Sequence, residues 1–247
     1  MMLRNKDFYN SISEIYDDMI SFNEALERRI ILLRNIINPG IHKAADIGCG
    51  TGIDSLALAS LGLDVTGFDP STEMIRKARQ NARKQMLKVK FENQSVIEIN
   101  EKQKNRFDLV VSLGNTFANI SEIELSPSIK KCKKLLKTGG LFVLQILNYK
   151  KILKAKKRIV KISSNNNKYF IRFYDLLAGQ IQFNILTFEK SNPENSELIS
   201  TQVYTYSPAY LKSIILKSGF RQVKIYSSLK GEKFLSSSHD LFIFSIA

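Results

Sequence analysis

Residues 45–55 read Ala-Asp-Ile-Gly-Cys-Gly-Thr-Gly-Ile-Asp-Ser, with glycines at 48, 50 and 52 and acids at Asp46 and Asp54. The first acid sits on an apolar run, the glycines alternate, and a helix-forming segment follows at once. Glycine weakens regular structure but suits a backbone that must turn sharply or let another group come close. The stretch therefore reads as a strand, Lys43–Ile47, then a tight turn, then a helix over Ile53–Leu61. Such a turn presents backbone N–H groups and the positive end of a helix to a ligand.

Working outward, strands alternate with helices. Leu63–Phe68 reads as a strand, Ser71–Met86 as a helix with Ser71 at its N-cap, and Val89–Glu92 as a short strand. Phe107–Leu113 is a mostly apolar run suited to a strand buried on both faces. A helix over Ser126–Leu136 is expected to stop at Thr138-Gly139-Gly140, before a strand over Leu141–Leu147. This alternation implies right-handed crossovers and a doubly wound parallel sheet.

The flanks differ. Ile12, Ile15, Met19, Phe22, Leu26, Ile30, Leu33 and Ile37 recur at helical steps with one break near Ser21, and Asn38-Pro39-Gly40 stops the pattern. From about Arg158 to Tyr206, β-prone runs and Asn-rich punctuation predict antiparallel hairpins. A helix from Ser207-Pro208 to Lys217 and strands near Gln222–Ser227 and Asp240–Ile246 close the chain. Four segments are expected: a helical cap (1–40), a Rossmann-like core (41–157), an antiparallel β insertion or lid (158–206), and a helix with a β-hairpin completing the core sheet (207–247).

Composition narrows the function. The chain has 247 residues and 44% hydrophobic content, enough for a substantial core. Two cysteines, Cys49 and Cys132, and two distant histidines, His42 and His239, supply neither a disulfide framework nor a zinc site. The N-terminus lacks the apolar core of a signal peptide, and no window suits a membrane span, so a cytoplasmic setting and no membrane partner are expected. The net charge of +14 would suit a polyanion, but the basic residues are spread out, with enrichment at 130–137 and 149–158. A solvated surface is the plainer reading, and nucleic acid remains a possible partner that is not favoured.

The second strand ends Gly67-Phe68-Asp69-Pro70, which places a carboxylate 19 residues after Gly50. An acid at that strand tip can accept hydrogen bonds from both ribose hydroxyls. Together with the glycine turn it points to an adenosine-type cofactor. The spacing Gly-Cys-Gly-Thr-Gly is not the dinucleotide fingerprint. Asp-Ile-Gly-Cys-Gly-Thr-Gly instead resembles the first motif of class I S-adenosylmethionine-dependent methyltransferases.

The resemblance implies a seven-stranded sheet with one reversed strand, and S-adenosyl-L-methionine as cofactor with S-adenosyl-L-homocysteine as product. It implies that Asp46, Gly48, Cys49 and Gly50 hold the methionine end and that Asp69, with Pro70, meets the ribose. Met74 matches the apolar residue beside adenine. Ser95-Val96 falls where an acid often takes the adenine amine, and Ser95 departs from that acid. Leu113 matches a residue lying along the cofactor.

Further stretches resemble the glycine N-methyltransferase branch, notably Val-Ser-Leu-Gly-Asn-Thr-Phe-Ala-Asn-Ile at 111–120, Asn148-Tyr149, and Tyr204-Thr-Tyr206-Ser-Pro. The likeness covers roughly residues 12–247. It implies that Asn115 meets the acceptor near the transferable methyl, that Tyr149 stands beside the acceptor pocket, and that Tyr16, in a Tyr-Asp-Asp-Met stretch, belongs to a closing cap. In that branch an arginine directly before the Asn-Tyr pair binds the glycine carboxylate; here the position is Leu147, which cannot form such a pair. Arg172, on an expected hairpin, is a possible substitute.

The reading that follows is a methyltransferase acting on nitrogen of a small molecule, with the acceptor and the oligomeric state undetermined. A nucleic-acid methyltransferase, a non-catalytic S-adenosylmethionine-binding protein and a nicotinamide oxidoreductase are the alternatives. Asp54 has the same standing as a helix support or a ligand contact.

Overall fold

The computed structural model describes residues 2–177 and 180–247. The chain begins with a two-residue strand, β1 (Met2–Leu3), then α1 (Asn5–Ile20) and α2 (Phe22–Leu33). The break between the helices falls at Ser21, in the left-handed region with φ 55°. The first helix starts at Asn5, earlier than the expected apolar pattern, and its added first turns bury Phe8 completely.

The core follows as β2 (Lys43–Ile47), α3 (Ile53–Ser60), β3 (Asp64–Phe68), α4 (Thr72–Lys84), β4 (Lys90–Glu92), β5 (Phe107–Ser112), α5 (Glu122–Leu135), β6 (Leu136–Leu147) and α6 (Tyr149–Ala155). Four strands then run in succession: β7 (Ile159–Ser164), β8 (Lys168–Leu177), β9 (Gln180–Glu189) and β10 (Ser196–Val203). The chain ends with α7 (Pro208–Lys217), β11 (Arg221–Tyr226) and β12 (Asp240–Ile246).

The strands form two sheets. The larger has seven strands in the order β11-β12-β6-β5-β2-β3-β4, with β12 alone running against the others. This is the α/β arrangement expected from the alternating pattern. Leu109, Val110 and Val111 in β5 are fully buried, as a central strand covered on both faces requires. Each such side chain contributes about 1.5–3 kcal/mol by leaving water. The smaller sheet is ordered β1-β10-β9-β8-β7 and is antiparallel apart from β1, which lies parallel to β10. Phe8, Ile12 and Met19 of α1 pack against its Phe170, Ile185 and Ile199.

Two local expectations need correction. The helix α5 starts at Glu122, capped by Ser121, and Pro127 lies inside it rather than opening it. Thr138-Gly139-Gly140 does not separate helix from strand: β6 begins at Leu136, and five of its residues advance against two on β5, making a bulge with Gly139 at φ 80°. The lysine-rich segment after β6 forms α6, its first turn capped by the Asn148 side chain, and Lys150 and Lys154 are exposed, as the surface reading expects.

These elements set the site at the carboxyl ends of β2, β3, β5 and β6. The helix α1 lies across that edge, where the Asn10 side-chain Oδ1 accepts the Ser71 hydroxyl at 2.7 Å and the Glu73 N–H at 3.3 Å.

Candidate active site

The glycine turn is pinned to its neighbouring strand. The Gly48 and Cys49 N–H groups both donate to the Phe68 carbonyl, at 2.8 and 3.1 Å. Gly48 has φ 71°, and a Cβ there would stand 2.2 Å from the Thr116 methyl, so neither backbone angle nor space admits a side chain. Gly50, at φ 52°, has no atom within 4 Å of its would-be Cβ and faces open space.

Asp69 sits where the second strand delivers it. Its Oδ2 accepts the Gly50 N–H at 2.9 Å and its Oδ1 accepts the Ser71 N–H at 2.8 Å. Each oxygen keeps a second lone pair for a further donor. Burial raises this carboxyl to about 6, against the pull of the two backbone donors.

The two acids of the opening stretch diverge. Asp46 is buried behind the turn and does not line the cavity; its Oδ2 accepts the Ser55 hydroxyl at 2.6 Å. Burial, with Asp54 close by, holds its carboxyl well above the ordinary range. Its place is that of a support for the turn, because the strand alternation directs it into the helix α3 behind. Asp54 lies in the first turn of α3 and forms an ion pair with Arg29 of α2, Nε to Oδ1 at 2.7 Å.

Between turn and cap lies a cavity of about 260 Å³. Gly48, Cys49, Gly50, Asp69, Pro70 and Met74 line it, as do Ser95, Val96 and Leu113. Tyr16 closes it from the cap, with Tyr9 and Arg29 beside it. Ser95 reaches the cavity, but its hydroxyl is committed to the Glu98 carboxylate at 2.6 Å in a capping box. The neighbouring Gln94 was missed by sequence reasoning: its Oε1 is buried without a partner among the described residues, and the residue lines the same cavity. A glutamine in a loop carries no sequence signal of its own. Arg29 was missed as well, since a lone arginine on an amphipathic helix reads as solvated surface.

A second chamber, of about 340 Å³, shares Tyr9, Tyr16, Arg29, Gly114 and Asn119 with the first. Its far walls are Asn115, Gln145 and Leu147 from the large sheet and its loops, and Val160, Arg172 and Tyr174 from the small one. Asn115 is held on three sides. Its backbone N–H donates to Gln145 Oε1 at 2.8 Å, its Nδ2 donates to the Tyr149 hydroxyl at 2.7 Å, and its Oδ1 accepts the Leu147 N–H at 2.9 Å. Tyr149 is 2% exposed and lines neither chamber, so it stands behind Asn115 rather than beside an acceptor. Its position just after β6, in the first turn of α6, turns the ring inward against Tyr174, 6.2 Å away between centroids.

Several observations fit an adenosine-type ligand in the first cavity: the cradle at Gly50, the spare lone pairs of Asp69, the unpartnered Gln94 oxygen and the buried Met74 side chain. Burial pushes the Tyr9 and Tyr16 phenols up, so both remain neutral hydrogen-bonding groups. Among the described residues there is no cluster of potential metal ligands and no helix long and apolar enough to cross a membrane.

Residues 44–140 match the family model described as a methyltransferase domain. The rat (Rattus norvegicus) glycine N-methyltransferase is 32% identical over 139 residues, covering 51% of this chain and 47% of that relative. The chain thus matches about half the length of the mammalian relatives. The glycine/sarcosine N-methyltransferase of Aphanothece halophytica is 22% identical over 98% of this chain and 91% of its own length. Among solved structures, the CcbJ methyltransferase of Streptomyces caelestis superposes with a TM-score of 0.80 at 19% identity, covering 97% of each chain. A methyltransferase of Clostridium acetobutylicum superposes at 0.75, also at 19% identity, over 96% and 98%. At those identities the superpositions establish the fold, and the fold is that of class I methyltransferases.

Proposed function

We propose that this chain, a member of the class I S-adenosylmethionine-dependent methyltransferases, binds that cofactor above its glycine turn and transfers the methyl group to a nitrogen of a small-molecule acceptor. The observation that carries the reading is the pair of adjoining chambers: an adenosine-suited cavity over Asp69, sharing Gly114 and Tyr16 with a second that holds Asn115. The cytoplasm is the proposed setting, in keeping with two free, buried cysteines.

When bound, S-adenosylmethionine supplies an electrophilic methyl on a sulfonium, so the protein's task is binding, alignment and exclusion of water. Asp69 would hold the ribose, Gln94 the adenine amine, and Met74 and Leu113 the flat and aliphatic faces. Asp46 positions the turn from behind through Ser55. Tyr9 and Tyr16 close the top and keep water from the junction of the chambers. Asn115, locked by Gln145, Leu147 and Tyr149, is a fixed amide that can orient an acceptor amine without rearranging. Alignment of this kind supplies about 7–11 kcal/mol in well-oriented reactions. No strong base is required, provided that the amine arrives neutral.

The names of the matched relatives support an amine acceptor, glycine or sarcosine among them. The test is calorimetric titration with S-adenosylhomocysteine, followed by transfer from radiolabelled S-adenosylmethionine to a panel of amines. Saturable micromolar binding with label on nitrogen supports the proposal. Absence of binding overturns it.

A further inference from the structure

Resting on the methyl-transfer reading, we infer that the acceptor carries an anionic group of carboxylate type and that Arg172, on the small sheet, binds it. Arg172 lies on β8 opposite Ile185 of β9 and Lys161 of β7. Its neighbours on the same face, Phe170 and Tyr174, are both buried, which directs the guanidinium into the second chamber. The Nε group is buried and has no hydrogen-bond partner among the described residues.

The chamber explains why that matters. Its lining contains no aspartate or glutamate. It contains two arginines, and Arg29 is already paired with Asp54. Arg172 is the lining cation without a carboxylate partner among the described residues, and Tyr16 and Tyr174 line the chamber with it. Arg172 is half-buried with its Nε out of reach of water, and a partly desolvated cation with no counter-ion favours an anion over a neutral ligand in the same space. A guanidinium also presents a planar fork of donors that matches a carboxylate in bidentate fashion.

Position adds the second element. Asn115 and Leu147 form the wall contributed by the large sheet, while Arg172 projects from the wall contributed by the small one. Leu147 offers only aliphatic surface. An acceptor with its amine at Asn115 and its anion at Arg172 would therefore bridge the two sheets. Anion recognition then belongs to the insertion rather than to the core, and replacing the insertion would change the acceptor without touching the cofactor cavity.

The experiment uses the full chain saturated with S-adenosylhomocysteine, with acetate and sarcosine as carboxylate-bearing probes and acetamide and sarcosinamide as the counterparts in which the carboxylate is replaced by a carboxamide. Binding is read by calorimetry. Saturable binding of the two carboxylates, at least tenfold tighter than of the matching amides, is expected for the wild type. Arg172→Met should abolish that preference while S-adenosylhomocysteine affinity stays within about twofold, and Arg172→Lys should keep part of it. Equal binding of acid and amide, no binding of either carboxylate, or an undiminished preference in Arg172→Met would overturn the inference. If Arg172→Met fails to fold, the wild-type comparison of acid and amide still decides. Failure of S-adenosylhomocysteine itself to bind would instead reject the methyl-transfer reading, so the two failures are distinguishable.

Discussion

Arg29 and Asp54 meet Nε to Oδ1 at 2.7 Å, tying the second helix of the cap to the first turn of the helix that follows the glycines. Their side chains are 23% and 13% exposed, so the pair is largely withdrawn from solvent. Removing one partner leaves the other uncompensated, at a cost of about 2–4 kcal/mol for a partly buried pair. Asp54→Asn and Arg29→Met should each lower the urea midpoint, and the double variant should lose less than the sum. Strict additivity in that cycle would show that the contact is not energetic.

Asp69 predicts a pH-dependent affinity. Its carboxyl is raised from 3.8 to about 6, and only the ionised form offers both oxygens fully to a ligand's hydroxyls. S-adenosylhomocysteine should bind weakly at pH 5, strengthen through pH 6, and level off above it. The stability linkage has the opposite sign. A raised folded-state value favours the fold at low pH, and this group's contribution is lost as the pH rises through about 6. Asp69→Ala should weaken binding by about 2–4 kcal/mol at neutral pH, and Asp69→Asn should remove the pH step.

Gln94 and Ser95 are adjacent and should respond differently. Gln94→Ala removes an unpartnered oxygen that faces the cavity, so S-adenosylhomocysteine binding should fall by about 0.5–1.5 kcal/mol with stability unchanged. Ser95→Ala breaks the capping box with Glu98, so stability should fall by about 0.5–2 kcal/mol with affinity unchanged. Calorimetry and denaturant melts on the two variants check the contrast; reversed effects would reject Gln94 as the adenine contact.

Tyr149→Phe tests a positioning role. The phenol accepts the Asn115 amide but touches neither chamber. Cofactor affinity should stay within twofold, while kcat falls tenfold or more with little change in KM. A rise in KM at unchanged kcat would mean that Tyr149 contacts the acceptor directly.

Gly48→Ala should destabilise the chain by about 2–4 kcal/mol, from a left-handed backbone and from collision with Thr116. Thr116→Ala removes the two nearest atoms, at 2.2 and 2.6 Å, and should restore part of that loss in thermal melts. No recovery in the double variant would place the whole cost in the backbone angle.

Much of the scaffold was legible because local chemistry marks it. β2 and β12 end where the sequence places them, and Ser71 and Ser207 cap helices as their positions suggest. The misread places are those where one residue type serves two structures. Thr138-Gly139-Gly140 suits a helix stop or a strand bulge, and only pairing with β5 selects the bulge. Pro127 suits a helix start, but the Ser121 cap lies six residues earlier and extends the helix past it.

Local chemistry along the chain specifies the alternating core, the turn between Ile47 and Ile53 and the carboxylate at Asp69. Each depends on neighbours a few residues away, through glycine φ angles, apolar runs and strand ends. The tertiary structure alone decided which groups share a chamber. Arg29 and Tyr16 come from the cap, Asn115 from the loop after β5, and Arg172 from the small sheet, so their meeting depends on packing between elements far apart in the chain. It also decided which polar groups are already engaged. Ser95 belongs to Glu98 and Tyr149 to Asn115, whereas Gln94 and Arg172 keep unpartnered atoms, because hydrogen-bond partners are assigned by spatial proximity.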